Sequence, residues 1–210
     1  ASMGALSCTD WLSVRDDPAV RVPGYSFVAN PMCYRNPYGL DEETYTNICI
    51  DHLERQIQLE DPALVAAFIG EPFQQANGVQ IPIPHYWKRV REICDKYEII
   101  MIVDEVITGF GRTGTWFASE QIDVEPDILN MAKSMAGGYA PIGAVITNDE
   151  IAEAIDLFRH VHTYSGHAVC CATALKVIEI KEREGLIEHS SKLAKNWQSE
   201  MQEKFGDHPA

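Results

Sequence analysis

The sequence predicts an α/β protein, a three-layer sandwich around a mostly parallel sheet, of which we expect this chain to hold an incomplete part. Two short apolar runs, LVAAFIGEP and IIMIVDE, are typical of buried strands, and the amphipathic stretch HYWKRVREICDKY between them is typical of a helix. Because both strands are apolar throughout, the order strand, helix, strand indicates a βαβ unit whose sheet is covered on both faces.

Local signals predict the other elements in turn. Residues 1–45 are rich in Pro, Gly, Tyr and Asn and show little periodicity, which predicts irregular segments. A mostly helical spacing of apolar residues predicts a helix near 41–59. The stretches DILNMAK and GAVIT predict short strands, NDEIAEAIDLF predicts a capped helix, and residues 168–183 and 186–204 predict two more helices.

The composition narrows the classes of partner. The 210 residues carry a formal net charge of -14, which would repel nucleic acid and anionic membranes. No apolar run approaches the roughly 20 residues that a membrane-spanning helix needs. The six cysteines form no CxxC pair, so we expect reduced thiols and a cytoplasmic protein. The chain lacks an initiator Met and stops just after a helical pattern, from which we expect an internal fragment.

Asp104 follows the apolar run IIMIV and therefore lies where a predicted strand ends. In open α/β sheets, ligands bind outside the carboxyl ends of the strands, so Asp104 is a candidate site residue. The same carboxylate could instead cap the turn that follows it. Position alone leaves both interpretations open.

Lys133 differs from the other lysines of the chain in its surroundings. It stands among apolar and small residues at the end of a short apolar run, so we expect it to be buried, where an ammonium is costly unless it is paired or used. A buried lysine loses its proton readily and becomes a nucleophile. An internal ion pair is the alternative. The other seven lysines fall in charged helical patterns and are expected on solvated faces: Lys88, Lys96, Lys176, Lys181, Lys192, Lys195 and Lys204.

Two further motifs predict less chemistry. GFGRTG, residues 109–114, lacks the order of a GxGxxG phosphate loop and follows an acidic pair, so it predicts a shaped turn. HVHTYSGH, residues 160–167, holds three histidines without an HExxH motif or a matching carboxylate, so we expect no metal site. Thr163 and Ser165 precede a helical stretch and are either N-caps or anion ligands.

Several motifs together resemble one enzyme family. DEVITGFGRTG, then PD at 126–127, then AKSMAGGYAPIGAV are similar to the signature of the class III aminotransferases, which are pyridoxal-phosphate (PLP) enzymes of fold type I. SMGALS, NPMCYRNPYG, GEPFQQANGVQIP and HTYSGHAVCCATAL have counterparts in the same order, so the resemblance covers essentially the whole chain. It implies that residues 1–185 are part of the large PLP-binding domain and that 186–210 form a helix leading toward a small C-terminal domain.

The resemblance also implies roles for four residues. Lys133 would carry PLP on its amino group and move a proton between the substrate carbon and the cofactor. Asp104 would keep the pyridine nitrogen protonated, so that the ring acts as an electron sink. Val106 would pack against one face of the ring. Thr163 would reach the PLP phosphate from the neighbouring subunit, which implies a homodimer.

Departures from the family pattern suggest a substrate class. Ala76 replaces a glutamate, and Ile107 a glutamine, that are often present in members using 2-oxoglutarate. Both changes resemble the omega-amino-acid or amine:pyruvate branch, which includes taurine:pyruvate enzymes. Glu71 and Glu105 occupy motif positions close to the implied site, and the sequence assigns neither of them a catalytic role.

The implied function is transfer of an amino group from an omega-amino acid or amine to a 2-oxo acid, with pyruvate as the expected acceptor. A decarboxylase, racemase or aminomutase of the same fold is an alternative, because fold does not fix chemistry. An inactive truncated homologue that serves as a binding or assembly partner is another. The family's phosphate cup and carboxylate-binding arginine fall outside these residues, so we expect the segment alone to hold PLP weakly or not at all and to be inactive.

Overall fold

The computed structural model describes residues 2–9, 21–76 and 78–208. The chain separates into two compact units, Ala1–Met101 and Ile102–Ala210. None of the described helices combines the length and the apolar character that crossing a membrane requires.

In the described residues, the first unit contains three α-helices and the first strand. They are α1 (Met3–Ser7), α2 (Glu42–Leu59), β1 (Ala67–Gly70) and α3 (His85–Lys96). The helix predicted near 41–59 is confirmed as α2. It begins after Asp41, whose side chain accepts a hydrogen bond from the backbone N–H of Thr44 and so satisfies one of the free donors at the helix start.

The core of the first unit lies between α2 and α3, which pack against each other. The two helices bury aliphatic, aromatic and cysteine side chains at helical spacing. The Trp87 ring is buried, and its indole N–H donates to the carbonyl of Pro72 at 3.1 Å, which satisfies the polar end of an otherwise apolar side chain. The buried apolar residues of the two helices are Tyr45, Cys49, Ile50, Leu53, Ile57, Tyr86, Trp87, Val90, Ile93 and Cys94.

Four strands form one sheet in the order β1-β2-β3-β4, where β2 is Ile100–Asp104, β3 is Ile128–Met131 and β4 is Ala144–Thr147. β2 and β3 are parallel, with Asp104 opposite Asn130. β4 runs antiparallel to β3. The predicted strands are therefore all present, and the parallel pairing of β2 with β3 sets the ends of these two strands side by side.

The described residues of the second unit add three α-helices: α4 (Asp149–Glu153), α5 (Ala168–Arg183) and α6 (Leu186–Phe205). The prediction of α5 and α6 is confirmed. The core cluster of this unit comprises buried Phe110, Met131, Met135, Ala136 and Ala174. It joins the turn after β2, the end of β3 and one face of α5.

The prediction that both strands of the βαβ unit are buried on both faces is wrong for β1. Its exposure alternates: Ile69 is 38% exposed, whereas Phe68 is half-buried and its ring lies edge-on to that of Trp87 at 6.1 Å. β1 stands at one end of the strand order, and α3 supplies cover to one of its faces. An apolar composition therefore does not reveal which face of an edge strand remains open.

Two local predictions are also corrected. The helix predicted over NDEIAEAIDLF begins after the N-cap Asn148 but ends at Glu153, because Ile155, Leu157 and Phe158 stay exposed and bury no apolar surface that would extend it. Residues 1–45, predicted to be irregular, contain α1. There the Ser2 hydroxyl accepts a hydrogen bond from the N–H of Ala5.

Candidate active site

Asp104 is the last residue of β2 and lies directly beside Asn130 of β3. Its carboxylate is half-buried, and Oδ1 accepts a hydrogen bond of 2.9 Å from the backbone N–H of Val106. Asp104 therefore does cap the turn after β2, which is one of the two roles that the sequence left open. Among the described residues no donor contacts Oδ2, so the second oxygen remains available for a ligand.

Lys133 follows β3 and begins a 3₁₀ turn, Lys133–Ala136. Its backbone φ of 41° is in the left-handed region, which costs a non-glycine residue about 1–2 kcal/mol. The expected burial of Lys133 is wrong: the residue is exposed, because it lies beyond the strand end, outside the packed core. Its side chain forms no ion pair or hydrogen bond with the described part of the chain, so the alternative of an internal ion pair is not observed.

The parallel register brings the two candidate residues to one edge of the sheet. Asp104 pairs with Asn130, and Lys133 stands three residues beyond Asn130. Ligands of α/β sheets bind at this edge, beyond the carboxyl ends of parallel strands. The Asp104 carboxylate and the Lys133 amine therefore follow the ends of neighbouring strands. Among the described residues, the Lys133 amine has no side-chain partner.

The buried carboxylate of Glu105 organises the loop after β2. Glu105 is 0% exposed, and its two oxygens accept hydrogen bonds from the Thr108 hydroxyl and from the backbone N–H groups of Ala118 (3.0 Å) and Ser119 (2.7 Å). Its own backbone N–H donates to the carbonyl of Asn130 at 2.9 Å. Glu105 thus holds the loop to β3 through its backbone and folds it through its side chain.

The stretch GFGRTG forms the shaped turn that its sequence predicts. Phe110, Gly111 and Gly114 all have positive φ. The φ of 93° at Gly111 favours glycine, and a Cβ there would also approach the tip of the Ile187 side chain, Cδ1, to 2.5 Å. This turn carries the Phe110 ring into the core cluster.

Val106 and Thr163, the other two residues that the family resemblance implicates, lie in different surroundings. Val106 is half-buried, two residues after Asp104. Thr163 is exposed, as are all residues from 152 to 169. The alternative that Thr163 or Ser165 is an N-cap is wrong, because α5 begins after His167 without a side-chain cap, and residues 163–166 form a turn before it.

Two of the three histidines in the segment 160–167 lie against each other. His160 and His162 approach each other through their Nε2 atoms at 2.7 Å, and both are exposed. Within residues 2–9, 21–76 and 78–208, no group of three or more His, Cys, Asp or Glu side chains is placed to hold a metal ion.

Lys181 belongs to this region, although the sequence placed it on a solvated face. That prediction is wrong: the residue is half-buried, and its ammonium donates to the carbonyls of Phe110 (2.7 Å) and Ser134 (2.8 Å). The ammonium also lies 5.4 Å from the centroid of the Phe110 ring. Burial, and secondarily the charge of Arg112, lowers the pKa of Lys181 below its ordinary value.

A signal for Lys181 was present in the sequence. Ala174, Ile178 and Lys181 follow one another at spacings of four and three, which places them on one face of a helix. That face packs against the turn Lys133–Ala136 and the core cluster. Charged residues on both sides of Lys181 make this segment resemble a solvated helix face, although the apolar spacing continues up to Lys181.

The family model for aminotransferase class-III matches residues 1–208. The chain belongs to the class III aminotransferase family. It is 40% identical over 196 residues to the putrescine–pyruvate aminotransferase of Pseudomonas aeruginosa, covering 90% of this chain and 42% of that protein. It is 37% identical over 178 residues to the diaminobutyrate–2-oxoglutarate transaminase of Halomonas elongata, covering 81% and 38%.

Solved structures of aminotransferases share the fold. A PLP-bound amine transaminase from an uncultivated Pseudomonas species superposes with a TM-score of 0.90 at 39% identity, covering 95% of this chain and 47% of that one. The predicted α/β class, the large-domain fold of the aminotransferases in incomplete form, is confirmed by this likeness. This chain spans less than half the length of the two aminotransferases and of the solved structure that it matches.

The names of the two relatives differ in the acceptor that they give, pyruvate in one and 2-oxoglutarate in the other. Membership of the class III aminotransferase family therefore does not select one 2-oxo acid.

Proposed function

We propose that this chain carries the cofactor-binding centre of an aminotransferase that moves an amino group from an amine or omega-amino acid to a 2-oxo acid. The observation that supports this most is the register of β2 with β3, which sets the Asp104 carboxylate beside the strand that leads into Lys133. By the family resemblance, a carboxylate for the ring nitrogen and a lysine amine are two of the groups that would hold PLP, and Asp104 and Lys133 are of these residue types.

The residues present fit PLP chemically. When bound, the cofactor supplies an electron sink for the negative charge that develops on the substrate carbon. The Val106 N–H donates to Oδ1 of Asp104, so the other oxygen would be the one that accepts a hydrogen bond from a protonated ring nitrogen. The Lys133 amine has no side-chain partner among the described residues, so it would be the group that holds the cofactor's aldehyde carbon, by condensation with loss of one water, and that takes and returns a proton.

Val106 and Thr163 complete the proposed cofactor contacts. Val106 would pack its aliphatic side chain against the ring, which is consistent with its position two residues after the carboxylate. Thr163 of one subunit would bind the phosphate of the PLP that is held in the neighbouring subunit. The proposed protein is therefore a homodimer. The exposure of the whole segment 152–169 supports a role outside its own subunit.

The proposed protein is cytoplasmic and divides into a PLP-binding part, residues 1–185, and a part that leads toward a smaller domain, residues 186–210. We propose pyruvate as its acceptor, because Ala76 and Ile107 lack the polar groups that many members using 2-oxoglutarate carry at these positions. The likeness to a putrescine–pyruvate aminotransferase supports that choice.

Isotope transfer tests the proposed reaction. The protein encoded by the complete reading frame is incubated with PLP, a nitrogen-15-labelled amine and equal concentrations of pyruvate and 2-oxoglutarate. We expect labelled alanine to exceed labelled glutamate. Release of carbon dioxide without transfer of the label would contradict the reaction class, and an excess of labelled glutamate would contradict the acceptor.

Two substitutions connect that reaction to the site. Lys133→Ala should abolish transfer of the label, whereas Lys176→Ala, which removes an exposed lysine paired with Glu179, should leave it unchanged. Asp104→Asn keeps an acceptor for the Val106 N–H but loses the charge, so we expect kcat to fall by roughly 100-fold or more. An Asp104→Asn protein with the unsubstituted rate would refute the role of the carboxylate.

A further inference from the structure

Lys181 joins the two segments that carry the proposed active-site pair. Its ammonium donates to the carbonyl of Phe110, in the turn that continues from Asp104, and to the carbonyl of Ser134, the residue that follows Lys133. The two hydrogen bonds, 2.7 and 2.8 Å long, come from one nitrogen atom. One side chain of α5 therefore connects the turn after β2 with the turn after β3.

The surroundings of Lys181 strengthen this connection. The side chain is half-buried, so water competes less well for its ammonium than it would at the surface. The Phe110 ring lies 5.4 Å from the ammonium and adds a cation–π contact. Ala174 and Ile178 pack the same face of α5 against the core cluster, which fixes the origin of the Lys181 side chain.

The conformation of Lys133 is a reason for such a connection. Lys133 has a φ of 41°, and a lysine keeps a left-handed backbone only where neighbouring contacts hold it. The carbonyl of Ser134 accepts from the Gly137 N–H at 3.2 Å as well as from Lys181. Lys181 thus holds the peptide adjoining the strained residue from outside the turn.

We propose that Lys181 is a positioning residue, which fixes the turn of Lys133 against the turn of Asp104 and thereby sets the orientation of the Lys133 amine. This inference rests on the proposed function, because it assigns Lys181 a task in that same site. Lys181 itself touches neither substrate nor cofactor in this proposal. Its effect passes through the carbonyls of Phe110 and Ser134.

The test compares Lys181→Met with Lys176→Met in the PLP-loaded protein from the complete reading frame. Methionine keeps much of the length and apolar stem of Lys181 and removes its donors, whereas Lys176 lies exposed on the same helix and pairs with Glu179. We expect Lys181→Met to lower kcat by about 10–100-fold with little change in KM, since misplacement of a reacting group has effects of this size. Lys176→Met should match the unsubstituted protein.

Two readouts separate positioning from plain stability. The pH midpoint of the PLP–lysine absorbance band should shift in Lys181→Met, measured at a temperature where the variant is fully folded. In the protein without PLP, amide hydrogen exchange over residues 133–137 should become at least several-fold faster, while exchange in β2 stays unchanged. Lys181→Arg, which keeps the charge in a different geometry, should recover part of kcat.

The outcomes distinguish this inference from the proposed function. If the unsubstituted protein forms no absorbance band with PLP, the proposed function fails. If it does, and folded Lys181→Met has the same kcat, the same pH midpoint and the same exchange, the positioning role is refuted. Should Lys181→Met not fold, Lys181→Leu replaces it with a shorter apolar side chain that also has no donor, and an unchanged pH midpoint and kcat in that variant refute the role equally.

Discussion

The buried carboxylate of Glu105 holds the loop after β2, so we expect Glu105→Gln to lower the free energy of unfolding by about 2–4 kcal/mol. Glutamine has one acceptor oxygen, while the site offers the donors of Thr108, Ala118 and Ser119. An amide nitrogen in either position faces at least one backbone N–H and leaves it without an acceptor. A buried donor without a partner costs about 1–3 kcal/mol, and the remaining hydrogen bonds lose the charge that strengthens them.

Urea denaturation followed by tryptophan fluorescence measures this loss. Glu120→Gln is the matched control, because the Glu120 carboxylate accepts from the Phe117 N–H at 2.7 Å in the same loop but belongs to an exposed residue. We expect it to cost less than about 1 kcal/mol. If Glu105→Gln unfolds within about 0.5 kcal/mol of the unsubstituted chain, the loop is held by something other than this carboxylate.

Three further predictions concern the first unit. Burial raises the pKa of Tyr86, so the contribution of the neutral phenol to stability is full below pH about 10 and is lost as the pH rises further. Tyr86→Phe should therefore flatten the alkaline side of a plot of unfolding free energy against pH. Hydrogen bonds from Lys96 and Tyr97 lower the pKa of Glu54, so the contribution of its carboxylate to stability is present above pH about 4.3 and is lost as the pH falls below that value. Glu54→Gln should therefore flatten the acid side of the same plot. In either case a curve parallel to that of the unsubstituted chain would contradict the prediction. Asp41→Ala removes the N-cap of α2 and should cost about 1 kcal/mol in urea denaturation, and no loss would contradict the capping role.

Helices and strand positions followed from local chemistry that the sequence displays. The acidic start of α2 and the apolar spacing along α3 depend on neighbours a few residues away, so pattern alone predicts them. The short apolar run IIMIV predicts β2, and the end of that run predicts the position of Asp104 at the carboxyl end of the strand. What these signals share is that each is complete within one segment.

Errors arose where distant segments decide the outcome. Lys133 lies in an apolar stretch, yet it is exposed. Its burial depends on which segments pack over the turn and not on the polarity of its neighbours in the sequence. Lys181 lies in a charged stretch, yet its two acceptors come from the segments near 110 and 134. The role of Glu105 depends in the same way on backbone donors more than ten residues along the chain.

The most direct test of the proposed site is to locate the lysine that bonds to PLP. The protein from the complete reading frame is loaded with PLP, reduced with borohydride, digested and analysed by peptide mass spectrometry. We predict the pyridoxyl group on the peptide that contains Lys133, and its disappearance in Lys133→Ala. A stoichiometric adduct on any other lysine, or an adduct that persists undiminished in Lys133→Ala, would contradict the assignment of Lys133 as the catalytic lysine.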